Sequence, residues 1–184
     1  VVAPEVSLFW RFLAASILMF ALAIFQGHPL RFRAKDHLTF MALGLCLFSA
    51  NFTSFYYAGM YSASGLLAVA FSTASLIIVL MLAVMTRSLP KISHLIAAIT
   101  GILGVLLLYL PELQISTTAS VSLALCIIGT LFFCTGNLVS AASQRRGLPV
   151  VSASSWGMAY GALFLLVFSA CLLYTSPSPR DVEE

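Results

Sequence analysis

Charged residues are what this sequence most lacks: Asp, Glu, Lys and Arg make up 8% of its 184 residues, nine basic and six acidic. A water-soluble domain carries about 25% charged residues, because its surface has to be wetted. With 61% hydrophobic residues and a mean hydropathy of +1.05, most of the folded surface must face lipid instead. The net charge of +3 is too small and too scattered to point to nucleic acid, so it bears on topology. Acids are missing where chemistry would need them. Glu5, Asp36 and Glu112 lie at the ends of apolar runs or between them, and none lies inside one. An intramembrane aspartyl protease needs two buried Asp, and an intramembrane serine protease needs a motif-embedded Ser with a mid-span His. Neither arrangement is present. No glycine-rich phosphate cradle occurs either, so neither an enzyme nor a nucleotide-driven pump subunit is expected. The four cysteines (Cys46, Cys126, Cys134 and Cys171) show no CxxC spacing. They support neither a disulfide framework nor a zinc site, and read as small packing residues. No cofactor and no metal is expected.

Proline is absent from the apolar runs. A helix needs about 20 apolar residues to cross the ~30 Å hydrocarbon core. Six stretches qualify: Val6–Phe25, Leu38–Ala58, Ser64–Met85, Ile92–Leu110, Ser120–Ala142 and Val150–Ala170. All seven prolines fall outside them. Proline removes a backbone donor and clashes with the preceding turn, so it collects at helix ends. The six spans are therefore expected to be continuous, with any binding site built from their side chains. Six long runs in series are also unlike a signal peptide. Lys and Arg divide sharply between the loops. Arg31, Arg33 and Lys35 follow the first span, Arg87 and Lys91 the third, and Arg145 and Arg146 the fifth. The loops around Met60–Ala63 and Pro111–Ala119 hold none. Seven against zero places the three basic loops in the cytoplasm and Val1–Glu5 outside. That start, with Val rather than Met first, carries the expectation of a further helix upstream. After Ala170 the character changes: CLLYTSPSPRD (171–181) resembles a translated sequencing-library adaptor. Residues 171–184 are accordingly read as a non-native tail, the alternative being a natural polar terminus.

Ionisable and amide groups inside lipid are costly, and they are functional candidates by default. Arg11 lies a turn and a half into the first span. It reads either as snorkelling to the outer headgroups or as lining a gate. His94 reads as interfacial or as a proton relay. Asn51, Thr53, Ser54, Tyr56 and Tyr57 lie on the second span, Ser72, Thr73 and Ser75 on the third, and Thr130, Thr135 and Asn137 on the fifth. Hydroxyls commonly knit helices together. A mid-span Asn is harder to satisfy in lipid, and for Asn51 and Asn137 packing and cavity lining stand side by side. Residues three apart share a helix face, so Asn51 and Ser54 form one polar patch. Asn51 is expected to point inward, near polar atoms of Ser72 or Thr73, with Arg11 closing the outer end. Asn51-Phe52-Thr53 matches a glycosylation sequon, but has no meaning at membrane depth. Gly157-x-x-x-Gly161 is a helix-contact motif that also arises by chance.

Two segments about 145 residues apart resemble each other: Pro4-Glu-Val-Ser-Leu-Phe-Trp10-Arg11 and Pro149-Val-Val-Ser-Ala-Ser-Ser-Trp156-Gly157. Five spans separate these openings, and an odd number per repeat inverts the second copy, a common transporter plan. Three stretches carry a family resemblance: Pro4-x6-Arg11-Phe-Leu-Ala14, Tyr57-Ala-Gly-Met-Tyr-Ser-Ala-Ser-Gly65-Leu-Leu-Ala-Val-Ala-Phe-Ser72, and Gly101-Ile-Leu-Gly104-Val-Leu-Leu-Leu. Through them the chain resembles the EamA-type family of the drug/metabolite transporter superfamily over nearly all of residues 1–170. It departs from the family at Ser75, where proline is frequent, and at Thr86-Arg87-Ser88, where an acid is frequent. The resemblance implies an all-α integral membrane fold, a multi-span helix bundle of inverted five-helix repeats, here truncated to six transmembrane helices. Residues 1–113 would hold helices two to five of ten, and residues 114–170 helices six and seven. The implied function is secondary transport of a small metabolite, as an exporter working by alternating access in a bacterial inner membrane. The alternative is a non-transporting membrane scaffold or sensor bundle. Candidate cavity residues are Arg11, Asn51, Tyr56, Ser72, Thr73, Asn137 and Trp156. The expected partners are the lipid bilayer, a small-molecule substrate and, in a homodimer, a second copy; nucleic acid is not among them.

Overall fold

The computed structural model describes residues 4–61, 64–87, scattered positions between 92 and 107, and 118–175. Among the described residues every regular element is a helix. In chain order these are α1 (Pro4–Phe25), α2 (Ala34–Leu43), a π-helical stretch (Gly44–Ala50), α3 (Asn51–Gly59), α4 (Ser64–Ser72), α5 (Ala74–Thr86), α6 (Thr118–Arg145) and α7 (Val150–Thr175). Four runs are long and apolar enough to cross a membrane: Glu5–Phe25, Ala34–Gly59, Ser120–Arg145 and Val150–Cys171. They match the first, second, fifth and sixth expected spans. The helices extend past several of the apolar limits because hydropathy marks the hydrocarbon, whereas a helix continues through the headgroup region.

The expected continuity of the spans holds for the second, which runs unbroken from Ala34 to Gly59 with a change of helix type, and needs correction in the third. The third span, Ser64–Met85, is divided between α4 and α5 at Thr73 without any proline. The Thr73 hydroxyl donates to the Ala70 carbonyl at 2.7 Å, and the Thr73 amide donates to the same oxygen at 3.3 Å. That carbonyl is the one a regular helix would offer to the Ala74 amide, so local side-chain bonding competes with the ladder. In the second span the π-helical stretch replaces the α-helix directly before Asn51. The fourth expected span, Ile92–Leu110, lies largely outside the described residues, as do His94, Lys91 and residues 176–184.

The chain divides into two compact units, residues 1–49 with 149–184, and residues 50–148. In the first, α7 packs along α1 and α2. The Ser16 hydroxyl of α1 donates to the Ser155 carbonyl at 3.1 Å. Glycine allows α2 and α7 to touch: a Cβ on Gly44 would lie 2.7 Å from the Gly157 carbonyl oxygen and 2.8 Å from the Gly161 amide nitrogen. The Gly157-x-x-x-Gly161 motif is thus used as a helix contact. In the second unit, α6 is the central element for α3, α4 and α5. Ala58, Ala70 and Cys126 form a buried cluster with Phe55, Leu67, Leu123 and Leu125 against it. The Ser122 hydroxyl donates to the Ala58 carbonyl at 3.0 Å.

The distribution of side chains fits lipid as solvent. Buried positions are rich in Ala, Cys and Ser, whereas Leu18, Phe25, Val84, Met85 and Phe168 are exposed. Lipid tails are as apolar as Leu, so helices in a membrane associate through small residues and interhelical hydrogen bonds.

Candidate functional site

The second unit holds five of the candidate residues. Asn51, Ser54, Phe55 and Ala58 recur at helical spacing on one stripe of α3, and that stripe lies on α6. The Ala58 carbonyl accepts from Ser122. A Cβ on Gly129 would meet the Phe55 ring at 2.9 Å and the Ser54 Cβ at 3.1 Å. As α3 runs back from Ala58 to Asn51, its register on α6 advances from Ser122 past Gly129. The end of α4 lies along the same helix: the Phe71 ring sits 5.2 Å from Phe55 and 4.7 Å from Phe133. Just past the α4–α5 break, the Ala74 carbonyl accepts from the Cys134 thiol at 3.4 Å. Asn51, Ser72 and Thr73 therefore belong to elements laid along one stretch of α6.

Asn51 is 4% exposed, so it points inward as expected. Among the described residues its Oδ1 has no hydrogen-bond partner, so that atom makes no hydrogen bond to Ser72 or Thr73. The Thr73 hydroxyl is committed to the Ala70 carbonyl. A buried acceptor without a partner costs about 1–3 kcal/mol. The Thr53 hydroxyl oxygen is likewise buried without a partner. Two residues along a helix correspond to about 200° of rotation, so Thr53 and Asn51 face opposite sides. Asn137, farther along α6, donates its amide to the Phe133 carbonyl at 2.8 Å. Nearby hydroxyls do the same within their own helix: Thr130 to the Cys126 carbonyl at 2.7 Å and Thr135 to the Leu131 carbonyl at 2.8 Å. Tyr56 is 45% exposed.

The first unit holds Arg11 and Trp156. Arg11 is exposed on α1. Trp156 belongs to an aromatic cluster at the start of α7. Its ring lies 5.2 Å from Phe20, 4.8 Å from His37 and 6.0 Å from Tyr160. Its indole N–H donates to the Leu30 carbonyl at 3.2 Å, one turn from Ser152, whose hydroxyl donates to the Pro29 carbonyl at 2.8 Å. His37 Nδ1 and the Tyr160 hydroxyl share a hydrogen bond of 3.0 Å. Sequence reasoning passed over His37. The signal available was a histidine in the first turn after a basic loop, where aromatic rings gather at the membrane interface.

Among the described residues, no group of three or more His, Cys, Asp or Glu side chains is placed to hold a metal ion. No curated protein and no solved structure matches the chain. The family model that matches is the EamA-like transporter family, over residues 1–110. With that match over more than half of its length, on a bundle of membrane-length apolar helices, the chain belongs to the EamA-like transporter family and is a multi-pass membrane protein of the drug/metabolite transporter superfamily.

Proposed function

We propose that the protein is a secondary transporter that exports a small metabolite by alternating access across a bacterial inner membrane. Residues 1–113 supply helices two to five of an inverted-repeat bundle, and residues 114–170 supply helices six and seven. The observation that carries this reading is the Asn51 side chain, 4% exposed with an unpartnered Oδ1. An Asn that merely knits helices together would be spending its carbonyl on a neighbouring donor. An acceptor left empty in a buried position suits a cargo that brings its own N–H or O–H. The π-helical stretch ending at Ala50 supports this, since π-turns inside α-helices recur at functional sites.

The test is Asn51→Leu in the full-length protein, assayed for export of a panel of amino- and hydroxyl-bearing metabolites. Transport should fall by about tenfold or more, the equivalent of one lost hydrogen bond of about 1.4 kcal/mol. Thermal stability of the purified variant should hold or rise, because an unsatisfied acceptor has been removed. Unimpaired export together with a clear loss of stability would assign Asn51 to helix packing and favour the scaffold reading.

A further inference from the structure

The segment joining α1 to α2 carries an unpaired cluster of cations on a backbone that is held in place. Arg31, Arg33 and Lys35 are all exposed. Among the described residues none of the three makes an ion pair, and the nearest acid in sequence is occupied, because Asp36 Oδ2 accepts the Arg33 amide at 3.2 Å. Arg33 has an extended backbone, φ −74° and ψ 155°, and alternate residues of extended chain point to opposite sides. Phe32 turns inward, its ring 5.2 Å from the buried Phe40. Arg31 and Arg33 flank it on the outward side.

The same backbone is fastened from α7. Ser152 donates to the Pro29 carbonyl at 2.8 Å and Trp156 to the Leu30 carbonyl at 3.2 Å. Trp156 is in turn packed on His37, Phe20 and Tyr160. A loop with free cations and a free backbone would lose much of any selectivity to disorder. This one presents its cations from fixed positions.

The surroundings say what meets them. Phe25, the last residue of α1, is 89% exposed, and Leu38, in the second turn of α2, is 67% exposed. Both belong to membrane-length apolar runs, Glu5–Phe25 and Ala34–Gly59. Exposed apolar surface therefore runs along the two helices that bracket the segment and ends beside Arg31–Lys35, the order in which a phospholipid presents its acyl chains and its phosphate. We propose that Gly27–Lys35 is a headgroup site for an anionic phospholipid, with Arg31, Arg33 and Lys35 meeting the phosphate and Phe25 and Leu38 meeting the acyl chains. Trp156 is a positioning residue for this site, acting through the Leu30 carbonyl.

The test uses the full chain in nanodiscs of phosphatidylcholine mixed with phosphatidylglycerol, with retained lipids counted by native mass spectrometry. The wild type should retain phosphatidylglycerol several-fold above its share of the bilayer, and the enrichment should fall as salt screens it. In R31Q/R33Q/K35Q the enrichment should drop toward the bulk ratio. Trp156→Phe keeps a ring but loses the N–H donor, and should give an intermediate enrichment with the fold intact by circular dichroism. Should the triple variant misfold, Arg31→Gln alone should still lower the enrichment measurably. No preference for phosphatidylglycerol in the wild type, or full enrichment in the triple variant, would overturn the proposal. So would displacement of the lipid by water-soluble glycerol phosphate at matched concentration, which would assign the cations to a free phosphate ester.

Discussion

A single Cβ separates contact from clash where α2 meets α7. At Gly44 the neighbours of an added methyl are backbone atoms, the Gly157 oxygen at 2.7 Å and the Gly161 nitrogen at 2.8 Å, and backbone cannot rotate out of the way. Gly44→Ala should therefore push the two helices apart and lower stability by about 1–3 kcal/mol, the usual range for overpacking. Gly104→Ala is the contrast. Among the described residues nothing lies within 4 Å of the Cβ it would add, and alanine is preferred over glycine inside a helix by about 1 kcal/mol. That substitution should be neutral or slightly stabilising. Thermal melts of the two variants in detergent decide the matter, and equal melts would remove the close approach as a stability determinant. Which of several glycines matters was not legible in the sequence, because Gly157-x-x-x-Gly161 names one helix of a contact and leaves its partner open. Asn51 shows the same limit. That a mid-span amide turns inward follows from the cost of lipid exposure, but an empty Oδ1 depends on what neighbouring helices withhold.

Elements were legible to the extent that length and apolarity define them. The first, second, fifth and sixth spans appear where about 20 apolar residues are bounded by prolines and charges, because a helix is the one local way to satisfy a backbone in lipid. Breaks and changes of helix type within a span were not legible. The π-helical stretch lies in GLCLFSA, which has no polar residue until Ser49 to mark a change of phase. The α4–α5 break has no proline and rests on one hydroxyl choosing the Ala70 carbonyl. Thr73→Val removes that hydroxyl at nearly constant shape and leaves the carbonyl to the backbone amides of residues 73 and 74. Spin labels at Ala68 and Leu80, both exposed, should then move toward the roughly 18 Å backbone separation of twelve residues of unbroken helix. An unchanged distance distribution would mean that the break is imposed by packing on α6, through Phe71 against Phe133 and Cys134 against the Ala74 carbonyl, rather than by Thr73.

At the scale of the whole molecule the question is which way the bundle faces. The loop charges alone carry the expectation that Arg31–Lys35, Arg87–Lys91 and Arg145–Arg146 face the cytoplasm. One part of that pattern has an independent structural counterpart. The first turns of α7 bond to the loop after α1, through Ser152 to Pro29 and Trp156 to Leu30. Arg145 and Arg146 precede α7 by only four residues or so, across the turn at Gly147, whose φ is +81°. The loop after α1 and the first turns of α7, far apart in sequence, thus come to the same end of the α1–α7 pair. Met60 closes the opposite end of the helical run Ala34–Gly59 and is expected outside. With Cys46, Cys126, Cys134 and Cys171 replaced, a membrane-impermeant thiol reagent added to intact cells should label Met60→Cys and spare Arg33→Cys and Arg145→Cys until the membrane is opened. Labelling of Arg33→Cys and Arg145→Cys with Met60→Cys spared would reverse the orientation. Labelling of only one of the two arginine positions would break the α1–α7 pairing itself, since the hydrogen bonds from Ser152 and Trp156 cannot form across a bilayer.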